Sequence, residues 1–152
     1  MKPILLASDH AGFSLKEKLK SYLQKKGLEF EDLGTYCQKR CDYPELAYSL
    51  ARQISRGQYS RGVLICKSGI GNSIVANKLK GVRAALCYNA RAARLSREHN
   101  DSNVLVLGSA FVNAVLAESI LKVWLKSKFL GGRHKRRLNQ IVKIENRILR
   151  RN

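Results

Sequence analysis

The sequence predicts an α/β protein in which a parallel sheet is covered by helices on both faces. Short apolar segments alternate along the whole chain with segments of helical periodicity, and no linker or low-complexity stretch interrupts the alternation. The composition of 45% hydrophobic and 26% charged residues is typical of a globular protein. A length of 152 residues fits one domain, which we expect to span 1–152.

Five short apolar segments are predicted to form the strands of this sheet. The first and third are almost entirely apolar, as expected for strands that are buried on both faces. The second is more polar and is closed by Gly34. The predicted strands are Pro3–Ser8, Leu28–Leu33, Gly62–Cys66, Val82–Leu86 and Asn103–Leu107.

Six segments between and after these strands are predicted to be helices. Apolar residues recur on one face of the first helix, and Gly27 should end it. Pro44 suits the first turn of the second helix, where a missing N–H costs nothing. The predicted helices are Phe13–Lys26, Pro44–Arg56, Gly71–Leu79, Asn89–Glu98, Phe111–Phe129 and Arg133–Arg150.

The last two predicted helices suggest contact with other subunits. Phe111–Phe129 carries more apolar side chains than one face against a single sheet can hide, which predicts an obligate oligomer. The terminal helix is basic on its outside and could present arginines to a neighbouring subunit. Its apolar positions are Leu138, Ile141, Val142, Ile148 and Leu149.

Several classes of protein are disfavoured by the same sequence. No apolar run approaches the roughly 20 residues of a membrane span, and the apolar segment after Lys2 is too short for a signal peptide. The four cysteines lack the paired spacing of a zinc site, so we expect no metal, and reduced thiols in the cytoplasm. They are Cys37, Cys41, Cys66 and Cys87.

The net charge of +18 has three possible explanations: nucleic-acid binding, an anionic small substrate, or compositional drift. Lysines and arginines are spread along the chain and are densest at 133–137 and 147–151. They are not interleaved with aromatic residues, and no nucleic-acid motif is present. We therefore expect no specific nucleic-acid partner.

Two polar segments follow predicted strands and carry groups that can move protons. Asp9 and His10 follow the first strand, and the segment 66–73 follows the third with a thiol, hydroxyls and glycines. In open parallel sheets, ligands bind beyond the carboxyl ends of the strands. If these two strands are neighbours, both segments line one crevice.

The segment 66–73 could bind an anion and supply a base. Gly69 and Gly71 allow a tight turn with exposed backbone N–H groups at a helix start, which could hold an anion or an oxyanion. The same helix end could lower the pKa of the Cys66 thiol toward neutrality. Alternatively, Cys66 is a small hydrophobe at a strand end. Neither a dinucleotide fingerprint nor a P-loop is present.

The other polar candidates also have structural interpretations. Asp9 could cap the helix that starts near Phe13, and His10 could be a turn residue. His99 lies in a turn-rich stretch, where a plain loop histidine is the default. Arg133 and Arg137 share a helix face after two glycines that would let a phosphate approach, but such a run is often a solvated face.

Taken together, these motifs resemble the ribose-5-phosphate isomerases of type B, the family that includes the galactose-6-phosphate isomerase subunits. The resemblance extends from Ile4 to about Ile144. It rests on Ala7-Ser8-Asp9-His10-Ala11-Gly12, Asp42-Tyr43-Pro44, Cys66-Lys67-Ser68-Gly69-Ile70-Gly71, Ala76-Asn77-Lys78, Gly81-Val82-Arg83-Ala84, Arg97-Glu98-His99-Asn100 and Gly131-Gly132-Arg133-His134.

The resemblance implies a three-layer α/β/α sandwich with a five-stranded, Rossmann-like parallel sheet of strand order 2-1-3-5-4. It implies a homodimer or a tetramer whose sites contain residues of both subunits, with the C-terminal helix 131–150 packed on the partner. The implied substrate is a phosphorylated sugar, and the implied reaction interconverts an aldose and a ketose phosphate without metal or organic cofactor.

The resemblance also implies roles for individual residues. Cys66 would be the base that moves a proton between C2 and C1, and the Ser68 hydroxyl would handle protons on the substrate oxygens. Asp9 and His99 would assist ring opening. The enediolate would be bound by backbone N–H groups of Lys67, Gly69, Ile70 and Gly71. The phosphate would be bound by His10, Arg133 and Arg137. The sugar site would be lined by Tyr43 and Asn100.

Two positions depart from the family pattern. Ser68 stands where many members have threonine, which keeps the hydroxyl. Lys67 stands where glycine is usual, so a positive φ there would be strained, and its charge could lower the Cys66 pKa further. We expect an isomerase of ribose 5-phosphate. The alternatives are a hexose 6-phosphate isomerase of the same family, acting on galactose or allose 6-phosphate, and a basic binding protein without catalysis.

Overall fold

The computed structural model describes residues 2–149 of the chain. Within this range the sheet is formed by β1 (Ile4–Ser8), β2 (Phe30–Asp32), β3 (Gly62–Cys66), β4 (Ala84–Leu86) and β5 (Val104–Gly108). The helices are α1 (Phe13–Lys25), α2 (Tyr43–Ser55), α3 (Ile70–Ala76), α4 (Ala90–Asn100), α5 (Ala114–Lys126) and α6 (Gly132–Leu149).

The sheet is parallel throughout and has the order β2-β1-β3-β5-β4, which confirms the predicted fold class and strand order. β1 and β3 are neighbours, with Ser8 opposite Ile65. β5 lies on the other side of β3, with Gly108 opposite Cys66. The carboxyl ends of these three strands therefore meet at one edge of the sheet, as the crevice argument requires.

Alternate residues of each strand face two separate cores. One face, with Leu6, Ile65 and Leu107, packs against α1, α4 and α5. The other face, with Leu5 and Leu64, packs against α2 and α3. Because both faces are covered, the central strands are buried along their whole length, which explains their uninterrupted apolar sequences.

Helix α5 is shorter than predicted, and most of it is hidden. The Asn113 side chain accepts a hydrogen bond from the Leu116 N–H, so the helix starts at Ala114 and not at Phe111. Trp124 is fully buried, because α5 packs against α1 and α4 as well as the sheet. The apolar content of this segment is therefore mostly explained within one chain, although Phe111 and Val115 are exposed, and the oligomer stays a prediction.

Part of the exposed apolar surface lies on α6. Leu138 packs inward, whereas the other apolar side chains of this helix that are described are exposed: Ile141, Val142, Ile144 and Ile148. The predicted helix end at Arg150 lies outside the described residues, as does the side chain of Leu149. Within residues 2–149, no helix is long and apolar enough to cross a membrane.

A buried ion pair fixes the end of β2 beside β1. The Lys16 side chain is fully buried and binds the Asp32 carboxylate and the Thr35 carbonyl. Thr35 in turn donates its N–H to the Ser8 carbonyl at 2.6 Å. Burial alone would raise the pKa of Asp32, but hydrogen bonds from Lys16, Lys20 and the Gly34 N–H outweigh it and lower that pKa.

Replacing Asp32 by asparagine is expected to lower the free energy of unfolding by about 3–5 kcal/mol at neutral pH, because Lys16 would be left charged, buried and unpaired. Since the folded-state pKa lies below the ordinary value of 3.8, the carboxylate's contribution is complete above that value and is lost as the pH falls below it. Urea unfolding at pH 7 and in acid measures both effects.

The control for this substitution is Glu29→Gln, which removes an exposed carboxylate that has no ion-pair partner in the described part of the chain. It should change the unfolding free energy by less than about 0.5 kcal/mol. An Asp32→Asn variant as stable as this control at pH 7 would contradict a stabilising role for the ion pair.

Candidate active site

The carboxyl ends of β1 and β3 lie side by side at one edge of the sheet. The Asp9 N–H donates to the Ile65 carbonyl at 3.3 Å, so Asp9 lies directly beside the end of β3. The Asp9 carboxylate is almost fully buried and accepts the Gly12 N–H at 2.9 Å. Asp9 thus supports the start of α1, as its structural interpretation proposed, while its charge also acts on Cys66.

Cys66 ends β3 as a buried thiol within a loop of N–H donors. Its Sγ accepts the Gly69 N–H at 3.1 Å, and the Ile70 N–H donates to Ser68 Oγ at 3.2 Å. Gly69 has a φ of 82°, which a residue with a side chain adopts at a cost. The donors come from the loop and from the first turn of α3, which has seven residues and starts at Ile70.

The Cys66 pKa differs from the sequence prediction. Burial raises the pKa of the Cys66 thiol, and the Asp9 charge adds to this, whereas N–H groups of Gly69, Asn72 and Ser68 lower it. The net direction is upward, so the expectation of a thiol pKa lowered toward neutrality was wrong for the free chain. A neighbouring Lys67 is not among the groups that shift it.

Lys67 fits the loop without backbone strain. Among the described non-glycine residues, positive φ occurs only at Asp101, so position 67 does not require glycine. The Lys67 side chain is exposed, and its carbonyl accepts the Ala110 N–H at 2.9 Å. The left-handed conformation that the loop needs is supplied by Gly69 instead.

The loops after β4 and β5 support the Cys66 loop, a role the sequence interpretation missed. The Ser109 N–H donates to the Cys66 carbonyl at 2.9 Å, and the Tyr88 hydroxyl donates to the Ser68 carbonyl at 2.9 Å. A Cβ on Gly108 would lie 2.4 Å from the Ser68 carbonyl oxygen. The available signal was Gly108 itself, a glycine at the end of a strand that adjoins β3.

Gly108→Ala is therefore expected to displace the backbone of Ser68 and to reduce turnover. This reduction should be larger than the loss of stability alone would produce. The control is Gly57→Ala, at a φ of 70° with nothing within 4 Å of the new Cβ. This control should cost about 1–2 kcal/mol of stability through backbone strain alone and leave turnover unchanged. Equal turnover in the two variants, measured with the sugar phosphate proposed below, would contradict this positioning role.

His10 and Tyr43 complete the carboxyl edge. His10 Nδ1 lies 3.1 Å from the Cys41 carbonyl oxygen and 3.3 Å from the Cys41 nitrogen, which fixes the imidazole ring. The Tyr43 ring packs on Gly71, where an added Cβ would lie 2.3 Å from the ring. The structure therefore brings together these residues and the loop 66–71 at one edge of the sheet.

The other predicted site residues lie at the opposite edge. Asn100 ends α4, which runs back along the sheet for about 16 Å. Its carbonyl accepts a hydrogen bond at 3.0 Å from Nε of Arg83, which directly precedes β4. His99 is in the last turn of this helix and not in a loop. A strand such as β5 separates the two edges by roughly 15 Å.

Helix α6 starts at the same opposite edge. The Leu130 N–H donates to the Glu98 carbonyl at 3.1 Å, which places the start of α6 beside the end of α4. The His134 ring stacks on His99 with 4.2 Å between ring centroids. Burial lowers the pKa of His134, and the nearby His99, Arg133 and Arg137 lower it further. Arg133 and Arg137 themselves are exposed.

One chain thus carries two separated groups of candidate residues. The group at the carboxyl edge has a thiol, a hydroxyl, a carboxylate and N–H donors, which suit proton transfer next to a carbonyl. The group at the amino edge has histidines and exposed arginines, which suit a phosphate. In the described residues, no cluster of His, Cys, Asp or Glu side chains is arranged to hold a metal ion.

Comparison with known proteins gives a consistent result. The family model described as Ribose/Galactose Isomerase matches residues 4–141. Ribose-5-phosphate isomerase B of Escherichia coli strain K12 is 44% identical over 147 residues, which covers 97% of this chain and 99% of that protein.

Solved structures agree with this match. Ribose-5-phosphate isomerase B of Clostridium thermocellum superposes with a TM-score of 0.94 at 44% identity, covering 97% of this chain and 99% of that one. The Mycoplasma genitalium ribose-5-phosphate isomerase B, solved with bound ribulose 5-phosphate, has a TM-score of 0.90 at 39% identity, covering 95% and 96%.

Proposed function

Since the chain belongs to the ribose/galactose isomerase family, we propose that it interconverts ribose 5-phosphate and ribulose 5-phosphate, as in the non-oxidative branch of the pentose phosphate pathway. The observation that carries this proposal is the loop 66–71, in which a thiol is surrounded by N–H donors at the ligand-binding edge of the sheet. The substrate class of the proposal is supported by the relative whose structure was solved with bound ribulose 5-phosphate.

The proposed reaction moves hydrogen within one molecule. The Cys66 thiolate removes the proton from C2 of the open aldose, the electron pair forms the C1–C2 double bond of a cis-enediolate, and the thiol returns a proton to C1. The Ser68 hydroxyl transfers the proton between the two substrate oxygens. Backbone N–H groups of 67–71 stabilise the negative charge on oxygen. Nothing is oxidised or reduced overall.

The remaining candidates bind and open the sugar in this proposal. Asp9 and His99 assist ring opening, while Tyr43 and Asn100 contact the sugar hydroxyls. The phosphate is bound by His10, Arg133 and Arg137, because guanidinium groups form paired hydrogen bonds with phosphate oxygens.

These assignments require two chains for each site. His99 and Arg137 lie at the opposite end of the sheet from Cys66, at a distance that no side chain spans. We therefore propose a homodimer, or a tetramer built from such dimers, in which the carboxyl edge of one chain faces the amino edge of its partner. The exposed apolar residues of α6, among them Ile144 and Ile148, support a contact between chains.

A coupled assay with ribose 5-phosphate tests the proposed function directly, with galactose 6-phosphate and allose 6-phosphate as the hexose comparisons. Turnover of a hexose phosphate but not of ribose 5-phosphate would indicate a hexose 6-phosphate isomerase of the same family. Absence of turnover on every sugar phosphate, together with oligonucleotide binding that survives about 0.15 M salt, would favour the basic binding protein instead.

Arg137→Ala is expected to raise KM for ribose 5-phosphate by about 10- to 100-fold, because a charge-assisted contact to phosphate is lost. Inorganic phosphate should compete with substrate in the wild-type protein. Lys135→Ala, on a different face of α6, is the matched control and should leave KM within about two-fold. Equal KM values in the two variants would indicate that the arginine face is only solvated.

A further inference from the structure

A basic cavity lies at the amino edge of the sheet. It has a volume of about 390 Å³ and is lined by Ser60, Arg61, Arg83, Arg97, Asp101 and Asn103. None of the residues proposed to bind or convert the sugar phosphate lines this cavity. It therefore holds three guanidinium groups and one carboxylate outside the proposed active site.

The single carboxylate is already shared by two of the arginines. Arg83 Nη2 lies 3.1 Å from Asp101 Oδ2, and Arg97 Nη1 lies 2.7 Å from Asp101 Oδ1. Arg61 has no carboxylate partner in the described part of the chain and donates to the Leu125 carbonyl at 2.9 Å. The cavity thus carries two positive charges more than its own carboxylate neutralises.

These positive charges are held close together in partly buried positions. The Arg61 and Arg97 guanidinium groups lie 5.7 and 5.8 Å from the centre of the Trp124 ring. Burial lowers the pKa of Arg61 and the charge of Arg97 lowers it further, with Asp101 opposing both. Arg97 is 8% exposed, and its Nε lacks any hydrogen-bond partner in residues 2–149. An anion in the cavity would relieve this repulsion.

We propose that this cavity binds a small oxyanion of the phosphate class, either inorganic phosphate or the phosphate group of a metabolite. The guanidinium fork of Arg61 matches phosphate oxygens, and the ion pairs with Asp101 hold Arg83 and Arg97 in place before the anion arrives. The site therefore needs little reorganisation on binding.

Occupancy of this site would act on the end of α4. Arg83 donates to the carbonyls of Asn100 and Asp101 at 3.0 and 2.9 Å, and Arg97 belongs to the same helix as His99. A bound anion would hold these groups together and steady the turn that presents His99 and Asn100. This consequence rests on the proposed isomerase function, whereas the binding itself does not.

The test is calorimetric titration with inorganic phosphate of the Arg133→Ala/Arg137→Ala double variant, which lacks the arginines proposed for the substrate phosphate. This protein should still bind one phosphate per chain. Adding Arg61→Gln should weaken the binding by about ten-fold or more. Adding Arg91→Gln instead removes the same charge from an exposed site on α4 and should leave the affinity within about two-fold.

Two measurements keep the outcome clear. Arg61→Lys, checked for folding by thermal unfolding, keeps the charge but loses the fork and should bind with intermediate affinity. Glycerol 3-phosphate binding more tightly than inorganic phosphate would identify a metabolite as the source of the anion. No binding to the double variant, or equal binding with Arg61→Gln and Arg91→Gln, would overturn the proposal. Because turnover is not measured, neither result bears on the isomerase activity.

Discussion

Replacing Cys66 by alanine is expected to lower kcat for ribose 5-phosphate by at least about 10²–10⁴-fold, the contribution of a positioned general base. The fold should remain intact, because the change removes one small atom from the end of β3. The strand itself is held by both of its neighbours and by the Ser109 N–H. Steady-state kinetics with circular dichroism as a folding check measures this effect.

The matched control is Cys87→Ala, which removes the other buried thiol of the chain. Burial raises the pKa of Cys87 to about 11, so it stays protonated, and it packs in the hydrophobic core. Its loss should leave kcat within about three-fold, as for a core substitution away from the site. A Cys66→Ala variant with turnover close to that of this control would exclude Cys66 as the base.

The raised pKa of Cys66 adds an expectation about pH. Only the thiolate can accept the C2 proton, and burial together with the Asp9 charge holds the thiol pKa above its ordinary value of 9.0. We therefore expect kcat/KM to rise with pH through the neutral range. A kcat/KM that does not change between about pH 6 and about pH 9 would indicate a base other than this thiol.

Mixing two impaired variants is expected to restore activity if each site is built from two chains, when activity is measured at a substrate concentration well below the raised KM of the arginine variant. Cys66→Ala damages the carboxyl-edge group, and Arg133→Ala/Arg137→Ala damages the amino-edge group. In a hybrid dimer, one of the two sites combines the intact carboxyl edge of the arginine variant with the intact amino edge of the Cys66→Ala chain. Random mixing should therefore recover about a quarter of wild-type activity, because half of the dimers are hybrid and half of their sites are intact.

The control for this experiment mixes Cys66→Ala with Asp9→Asn. Both substitutions lie at the carboxyl edge, so every site of a hybrid dimer carries one of them and no recovery is expected. Coexpression of two differently tagged chains, followed by tandem purification, isolates the hybrid dimers. In the hybrid with the arginine variant, half of the sites are intact and about half of wild-type activity is expected. If the hybrid of Cys66→Ala with Arg133→Ala/Arg137→Ala is as inactive as this control hybrid, the complete site lies within one chain.

Much of this arrangement follows from short stretches of sequence. The apolar strands Ile4–Ser8 and Gly62–Cys66 were predicted to within one residue, because strands buried on both faces need uninterrupted apolar side chains. The position of Asp9, His10 and the loop after Cys66 at one edge followed from the rule that ligands bind at the carboxyl ends of parallel strands. The adjacency of β1 and β3 confirmed it.

Predictions that depended on the environment of a side chain were less successful. Apolar periodicity alone extended α5 to Phe111–Phe129, but the Asn113 cap starts it later and two neighbouring helices hide its surface. Turn-forming residues after Asn100 suggested a loop at His99, yet α4 continues through Asn100. The thiol pKa depends on burial by residues distant in sequence, which no local motif reports.

By itself, the sequence determined the strands, most helix positions and the chemical types of the candidate residues, because these follow from interactions between near neighbours along the chain. Only the tertiary structure decided that Cys66 lies at one edge of the sheet and His99 and Arg137 at the other. It also brought Arg61, Arg83 and Arg97 into one cavity. These are contacts between residues far apart in sequence, whose geometry is set when the helices pack on the sheet.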